Sequence, residues 1–171
     1  MVDATVAAVL VVLREPGLSV DERRSRIERI ASDRFDFETM SRLVLARGWR
    51  RFSDAQQDEF VEAFKRHLSA SYGSRVERYE QESVAIVEER IEPRGDVTVQ
   101  TRIKGGRYDG TAVDYRLRQR DGGWRVIDVV IEGVSLVSNF RSQFAEVMAR
   151  GGPEEVLRRL REKTVPEAGA A

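Results

Sequence analysis

The side chains best suited to chemistry in this sequence are few and scattered. His67 is the one histidine, so a multi-histidine metal centre and a two-histidine acid–base pair are both excluded. It falls at the border of an apolar helix face and reads as a surface or partly packed residue. Cysteine is absent, which removes disulfides, thiolate-bound zinc, iron–sulfur clusters and thiol catalysis. Asp114, Asp128 and Glu132 interrupt otherwise apolar stretches. A carboxylate on a sheet that faces a pocket can act as a general base with a raised pKa. In an arginine-rich chain it can equally face solvent or pair with a guanidinium. Gly105-Gly106 lies between predicted strands and reads as a turn. The sequence contains no P-loop, no GxGxxG after a strand and no GxSxG. No catalytic residue and no metal ligand is assigned.

Two other patterns have chemical content. Met40–Phe52 holds Arg42, Arg47, Arg50 and Arg51, no acid, and Trp49. Basic plus aromatic is the composition of a membrane interface or a headgroup contact. It is also the composition of a helix end whose last turn sets cations against the dipole. The second pattern is aromatic. Phe37, Trp49, Phe60, Phe64, Tyr72, Tyr115, Trp124, Phe140 and Phe144 fall on the predicted inward faces of their elements. They can form a solid core, or they can wall an apolar hollow suited to a greasy ligand.

These residues must be positioned by a chain of 171 residues, a length that suits one domain. We assign residues 1–163 to it and read 164–171 as a disordered, small-residue tail. Lys+Arg and Asp+Glu are 29 each, so no global field draws nucleic acid. Of those cations 26 are arginine, the side chain that binds phosphate in bidentate fashion. No apolar run reaches the ~18–20 residues of a membrane span. The longest near the start, Ala4–Leu13, lacks the basic lead and cleavage site of a signal peptide and reads as a mature helix.

The first half predicts helices. Asp3 caps the first, which Pro16-Gly17 ends. Ser19 with Glu22 makes a capping box for the second. Asp36 starts the third, which ends near Gly48. Ser53 with Gln56 opens an amphipathic fourth carrying Phe60, Phe64 and Leu68. Four strands follow, Val84–Ile91, Val97–Ile103, Ala112–Arg118 and Trp124–Ile131, joined by turn-rich segments as a meander. A helix from about Ser138 to Arg150 stops at Gly151-Gly152, and Pro153 opens a short last one. The class is α+β: a curved antiparallel sheet of about four strands, wrapped by N- and C-terminal helices, with an apolar cavity between.

Two segments then carry a resemblance. Phe35-Asp36-Phe37-Glu38-Thr39-Met40-Ser41, Leu45 through Trp49, and Gln57 with Phe60 and Ala63-Phe64 resemble the front motif of the MlaC/toluene-tolerance family. Gly123-Trp124-Arg125-Val126-Ile127-Asp128-Val129-Val130-Ile131-Glu132-Gly133-Val134-Ser135-Leu136-Val137, followed by Asn139-Phe140-Arg141-Ser142-Gln143-Phe144, resembles its second motif. The resemblance runs from about Ala4 to Arg161. It departs at Ala46-Arg47-Gly48, where the family usually has glycine soon after the leucine, and leaves the turn before Trp49 open.

The resemblance implies a periplasmic phospholipid carrier with no enzymatic activity, no cofactor, and lipid as its cargo. Its signal peptide would be absent from this sequence. Its partners would be an inner-membrane ABC transporter complex with its substrate-binding component and an outer-membrane lipoprotein/porin complex, and the protein itself would be a monomer. A hopanoid-associated branch makes a polycyclic lipid the alternative cargo. The expected tail contacts are Phe64, Leu68, Val113, Tyr115, Leu117, Val126, Val130, Phe140 and Phe144. Arg47, Arg51 and Arg141 are the candidates to meet the phosphate. Helices followed by a curved sheet also resemble the cone-shaped NTF2/steroid-isomerase architecture, in which Asp114 or Asp128 would be a catalytic base. A solid interaction domain is the third possibility.

Overall fold

Polar caps set the helix starts. The computed structural model describes residues 1–76, 82–120, 122–163 and 165. Its helices are α1 (Val2–Arg14), α2 (Val20–Arg34), α3 (Phe37–Leu45), α4 (Asp54–Val76) and α5 (Leu136–Arg161), with a 3₁₀ turn at Ala46–Arg51. The Ser19 hydroxyl accepts from the Glu22 N–H, and the Glu22 carboxylate accepts from the Ser19 N–H at 2.9 Å, which completes the expected capping box. Asp36 accepts from the Thr39 N–H at 2.8 Å. Ser53 and Gln56 bond each other's backbone N–H reciprocally at the start of α4. Two starts differ from expectation. Met1, not Asp3, occupies the cap of α1, and Asp3 lies in its first turn. Ser135 caps α5 by accepting from the Ser138 N–H at 3.0 Å, so the helix begins before Ser138.

The sheet is open and antiparallel, in the order β1 (Ser83–Ile91), β2 (Val97–Lys104), β3 (Ala112–Arg120), β4 (Gly123–Ile131), β5 (Val134–Ser135). The α+β class holds, with five strands rather than four. The fifth arises because Glu132 and Gly133 both take positive φ, 49° and 81°. Two such residues make a tight hairpin turn that folds Val134 and Ser135 back onto β4. Bulges interrupt the β1–β2 register between Ile86 and Glu88 and the β3–β4 register at Ile127. A bulge adds local bend and twist to its strand.

The core lies on one sheet face, under the helices. Val99, Leu117, Val126 and Val129 from the sheet meet Val2 of α1, Met40 and Val44 of α3, Phe60, Phe64 and Leu68 of α4, and Phe140, Phe144 and Val147 of α5. At Gly152 α5 kinks, with φ 66° and ψ −160°, a conformation essentially confined to glycine. The break expected at Gly151-Gly152 is therefore present as a kink. Beyond it Val156, Leu157 and Leu160 return to the same core. Val165 is buried there as well; the rest of the expected tail at 164–171 lies outside the described residues.

Candidate functional site

Strand register sorts the expected site residues. Directly paired residues in an antiparallel ladder project to one face. Three cross-strand rows share the helix-covered face: Ile86, Thr101, Val113 and Ile131; Glu89, Val99, Tyr115 and Val129; Ile91, Val97, Leu117 and Val126. Val99, Leu117, Val126 and Val129 are buried, whereas Val97, Val113, Tyr115 and Ile131 are only half-buried against the core. At the β1 end the cover stops, and Ile86 and Ile91 are 38% and 82% exposed. A sheet surface apolar except at Thr101 and Glu89 thus runs from under the helices to the β1 edge.

The structure brings together most of the expected tail contacts. Val113, Tyr115, Leu117 and Val126 lie in these rows, and Phe64, Leu68, Phe140 and Phe144 face them from the helices. Val130 does not join them. It pairs with Asp114, on the face that also carries Arg116 and Asp128. Ile127 is the extra residue in the ladder, so Val126 and Val130 point to opposite faces despite their even spacing. Val129 and Ile131 take the place assigned to Val130.

Where an apolar cavity was expected, aromatic rings meet. Phe64 stands edge-on to Phe140 at 5.2 Å, Phe60 lies 5.4 Å from Phe144, and His67 meets Phe140 edge-on at 5.4 Å. A cleft of about 770 Å³ opens elsewhere, between the α2–α3 junction and the β3–β4 hairpin, lined by residues including Phe35, Phe37, Arg42, Arg120 and Arg125. None of the nine expected tail contacts lines it.

The opposite sheet face is ionic. Asp96, 2% exposed, accepts from Arg118 at 2.8 and 2.9 Å and from Arg116 at 2.8 Å. The Arg118 hydrogen bond holds the Asp96 carboxyl below its usual range, against the opposing effect of burial. Asp114 lies 3.8 Å from Arg102. Asp128 accepts from the Ser135 hydroxyl at 2.5 Å and the Val137 N–H at 3.1 Å, and so fastens the start of α5 to β4. Both aspartates suggested as a catalytic base therefore sit on the face away from the aromatic cluster. The Asp96 network escapes sequence reading, because Asp96 lies in a turn and its partners a strand away.

The arginines of the Met40–Phe52 stretch separate into distinct roles. Arg42 pairs with Glu38 at 2.7 Å and covers Trp49 at 5.3 Å from its ring centre. Arg141 donates to the Leu43 carbonyl at 2.8 Å, which caps the end of α3. Arg47, Arg50 and Arg51 are exposed on the 3₁₀ turn. The turn itself is clamped from α4, where the Gln57 side-chain amide donates to the Trp49 and Phe52 carbonyls at 3.1 and 3.3 Å. Ala46 opens it at φ 48° and ψ −123°. Among the described residues no cluster of three or more histidine, cysteine or acidic side chains could hold a metal ion. No described helix is long and apolar enough to cross a membrane.

One apolar face half covered by helices, one ionic face, and an Asp128 committed to structural bonds describe a small α+β domain with an apolar sheet surface. Comparison narrows this. The family model described as MlaC protein matches residues 3–162, and the chain belongs to that family. It is 26% identical over 127 residues to the toluene tolerance protein ttg2D of Pseudomonas putida, an alignment covering 74% of this chain and 59% of that protein. Its fold matches that of the phospholipid-binding protein from Ralstonia solanacearum, solved in complex with a phospholipid. The TM-score is 0.86 at 26% identity, over 95% of this chain and 93% of the other.

Proposed function

We propose that this protein is a periplasmic phospholipid carrier, which holds lipid by its acyl chains and passes it between an outer-membrane complex and an inner-membrane ABC transporter. The observation that carries the reading is the near full-length fold match to a protein solved with a phospholipid bound. The half-buried rows support it from within. Tails would lie along Val97, Val113, Tyr115 and Ile131, gain access at the exposed β1 edge, and reach Leu117 and Val126 and the ring cluster of Phe64, Phe140 and Phe144, with Leu68 beside it. Because those rings touch one another, full seating requires α4 and α5 to move away from the sheet. Arg51 and Arg141 serve the phosphate end.

The energetics favour such a division. A buried methylene is worth about 0.8 kcal/mol, so a lipid with about 30 of them costs roughly 25 kcal/mol to expose to water. Holding therefore depends on the tails, and the reading involves a monomer, no cofactor and no chemistry on the lipid. Solvent extraction of the purified protein followed by lipid mass spectrometry tests it. Phospholipid in near-stoichiometric amount is the expected result. A polycyclic terpenoid lipid would redirect the cargo assignment. Absence of any lipid, with no uptake from vesicles, would overturn the carrier reading.

A further inference from the structure

A 3₁₀ helix has three residues per turn, so residues i and i+3 eclipse one another. Applied to the turn after α3, this gives three edges. Ala46 and Trp49 share one, and Trp49 packs against the core. Gly48 and Arg51 share the second, which faces α5: a methyl group on Gly48 would lie 3.4 Å from Met148, and one on Gly152 would lie 3.6 Å from the Arg51 guanidinium. Arg47 and Arg50 share the third, and both are exposed. Among the described residues neither makes an ion pair, and Met40–Phe52 contains no acid. The Gln57 clamp and the Met148 contact hold the backbone in place, so the guanidiniums stand on a fixed platform.

We propose that the Ala46–Arg51 turn is an electrostatic docking surface for anionic phospholipid bilayers, acting separately from the apolar rows that receive a tail. Guanidinium matches lipid phosphate in bidentate geometry. An acidic protein surface would fit the charge; the bilayer is favoured because the fold match is to a protein solved with a phospholipid, and in this the proposal rests on the carrier reading.

The test is flotation of the full chain with phosphatidylcholine vesicles, with and without about a third phosphatidylglycerol. Arg47→Gln with Arg50→Gln is compared against Arg29→Gln with Arg34→Gln, which removes the same charge from exposed positions on α2. A basic residue at an anionic surface is worth about fivefold in partitioning, so the turn variant should bind roughly 25-fold more weakly. The α2 variant should bind like the unmodified protein, and added salt should abolish the difference. Equal binding by the turn variant, an equal loss in the α2 variant, or no binding of the unmodified protein to the anionic vesicles would each overturn the proposal. In the last case the turn passes to an acidic protein partner. Lipid extraction reads carriage independently, so failure of docking and failure of carriage are distinguishable.

Discussion

Ala46→Gly should make the protein more stable, a rare sign for a glycine substitution. Ala46 holds φ 48° and ψ −123°, where a Cβ is crowded by the backbone and glycine is not. Holding a non-glycine residue in such a sparsely populated region costs on the order of 1–3 kcal/mol. The methyl group offsets little of this, because Ala46 is exposed. Glycine adds unfolded-state freedom worth about 0.4–1 kcal/mol, which opposes the gain. The net expectation is about 1 kcal/mol of stabilisation, or a Tm rise of roughly 2–4 °C in a domain of this size. The assay is reversible urea unfolding followed by circular dichroism, with the midpoint moving up at constant m. Gly152→Ala is the companion of opposite sign. Its φ 66° and ψ −160° should make it less stable by about 1–3 kcal/mol. If Ala46→Gly leaves the midpoint unchanged or lowers it, backbone strain does not govern this turn.

Three more outcomes follow from the site geometry. Asp96→Asn should cost about 1–3 kcal/mol, the buried-pair penalty reduced because Arg116 and Arg118 are 40% and 31% exposed. The Asp96 pKa is depressed on folding, so its contribution is complete above about pH 4, where the unfolded carboxyl ionises, and is lost as pH falls through the lower folded value. Acid titration of stability should therefore be shallower in the variant. Asp128→Asn should lower stability by about 1–3 kcal/mol through weakened bonds to Ser135 and Val137, while lipid recovered by extraction stays constant; loss of lipid, or of a measurable turnover, would show a role beyond fastening α5. Val113→Trp should fill space over the half-buried rows and cut lipid loading at a folding cost of about 1–3 kcal/mol, and unchanged loading in a folded variant would remove those rows from the site.

Local signals in the sequence reached the structure wherever one residue decides a boundary. The Ser19, Asp36 and Ser53 caps stand where their side chains predict, because each cap satisfies a backbone donor that nothing else nearby can reach. The inward aromatics of α4 and α5 were legible from spacing four. Features that depend on pairing were not. In Val126–Ile131 every residue but Asp128 is apolar, so a slip of one residue leaves no trace in the alternation. The bulge at Ile127 then moves Val130 to the outer face. β5 is two residues long, too short for any periodicity, and exists because Glu132 accepts positive φ while its carboxylate takes the Ala112 N–H. The positive φ at which the Ala46 turn starts is not a preference of alanine, so no local signal announces it.

The even charge balance conceals how the arginines are distributed. On the outer sheet face, guanidiniums and carboxylates alternate within reach of one another, as Arg102 with Asp114 and Arg116 and Arg118 with Asp96. On the helices, Arg158 and Arg159 converge on Glu155, whose hydrogen bonds from them draw its pKa down to about 2. Such pairs cancel at distances beyond a few ångströms, so they add little to the field felt by a distant surface. Arg47, Arg50 and Arg51 of the 3₁₀ turn, like Arg29 and Arg34 of α2, make no ion pair among the described residues, but in the turn three such charges fall within residues 47–51 with no acid between them. A net charge of zero is therefore compatible with a directed field at one end of α3. Salt should act unequally on the two populations: the pair around the buried Asp96 is screened weakly, whereas exposed charges facing a membrane across several ångströms are screened within about 8–10 Å. A protein that keeps its fold in high salt while losing its hold on anionic vesicles is what this separation requires.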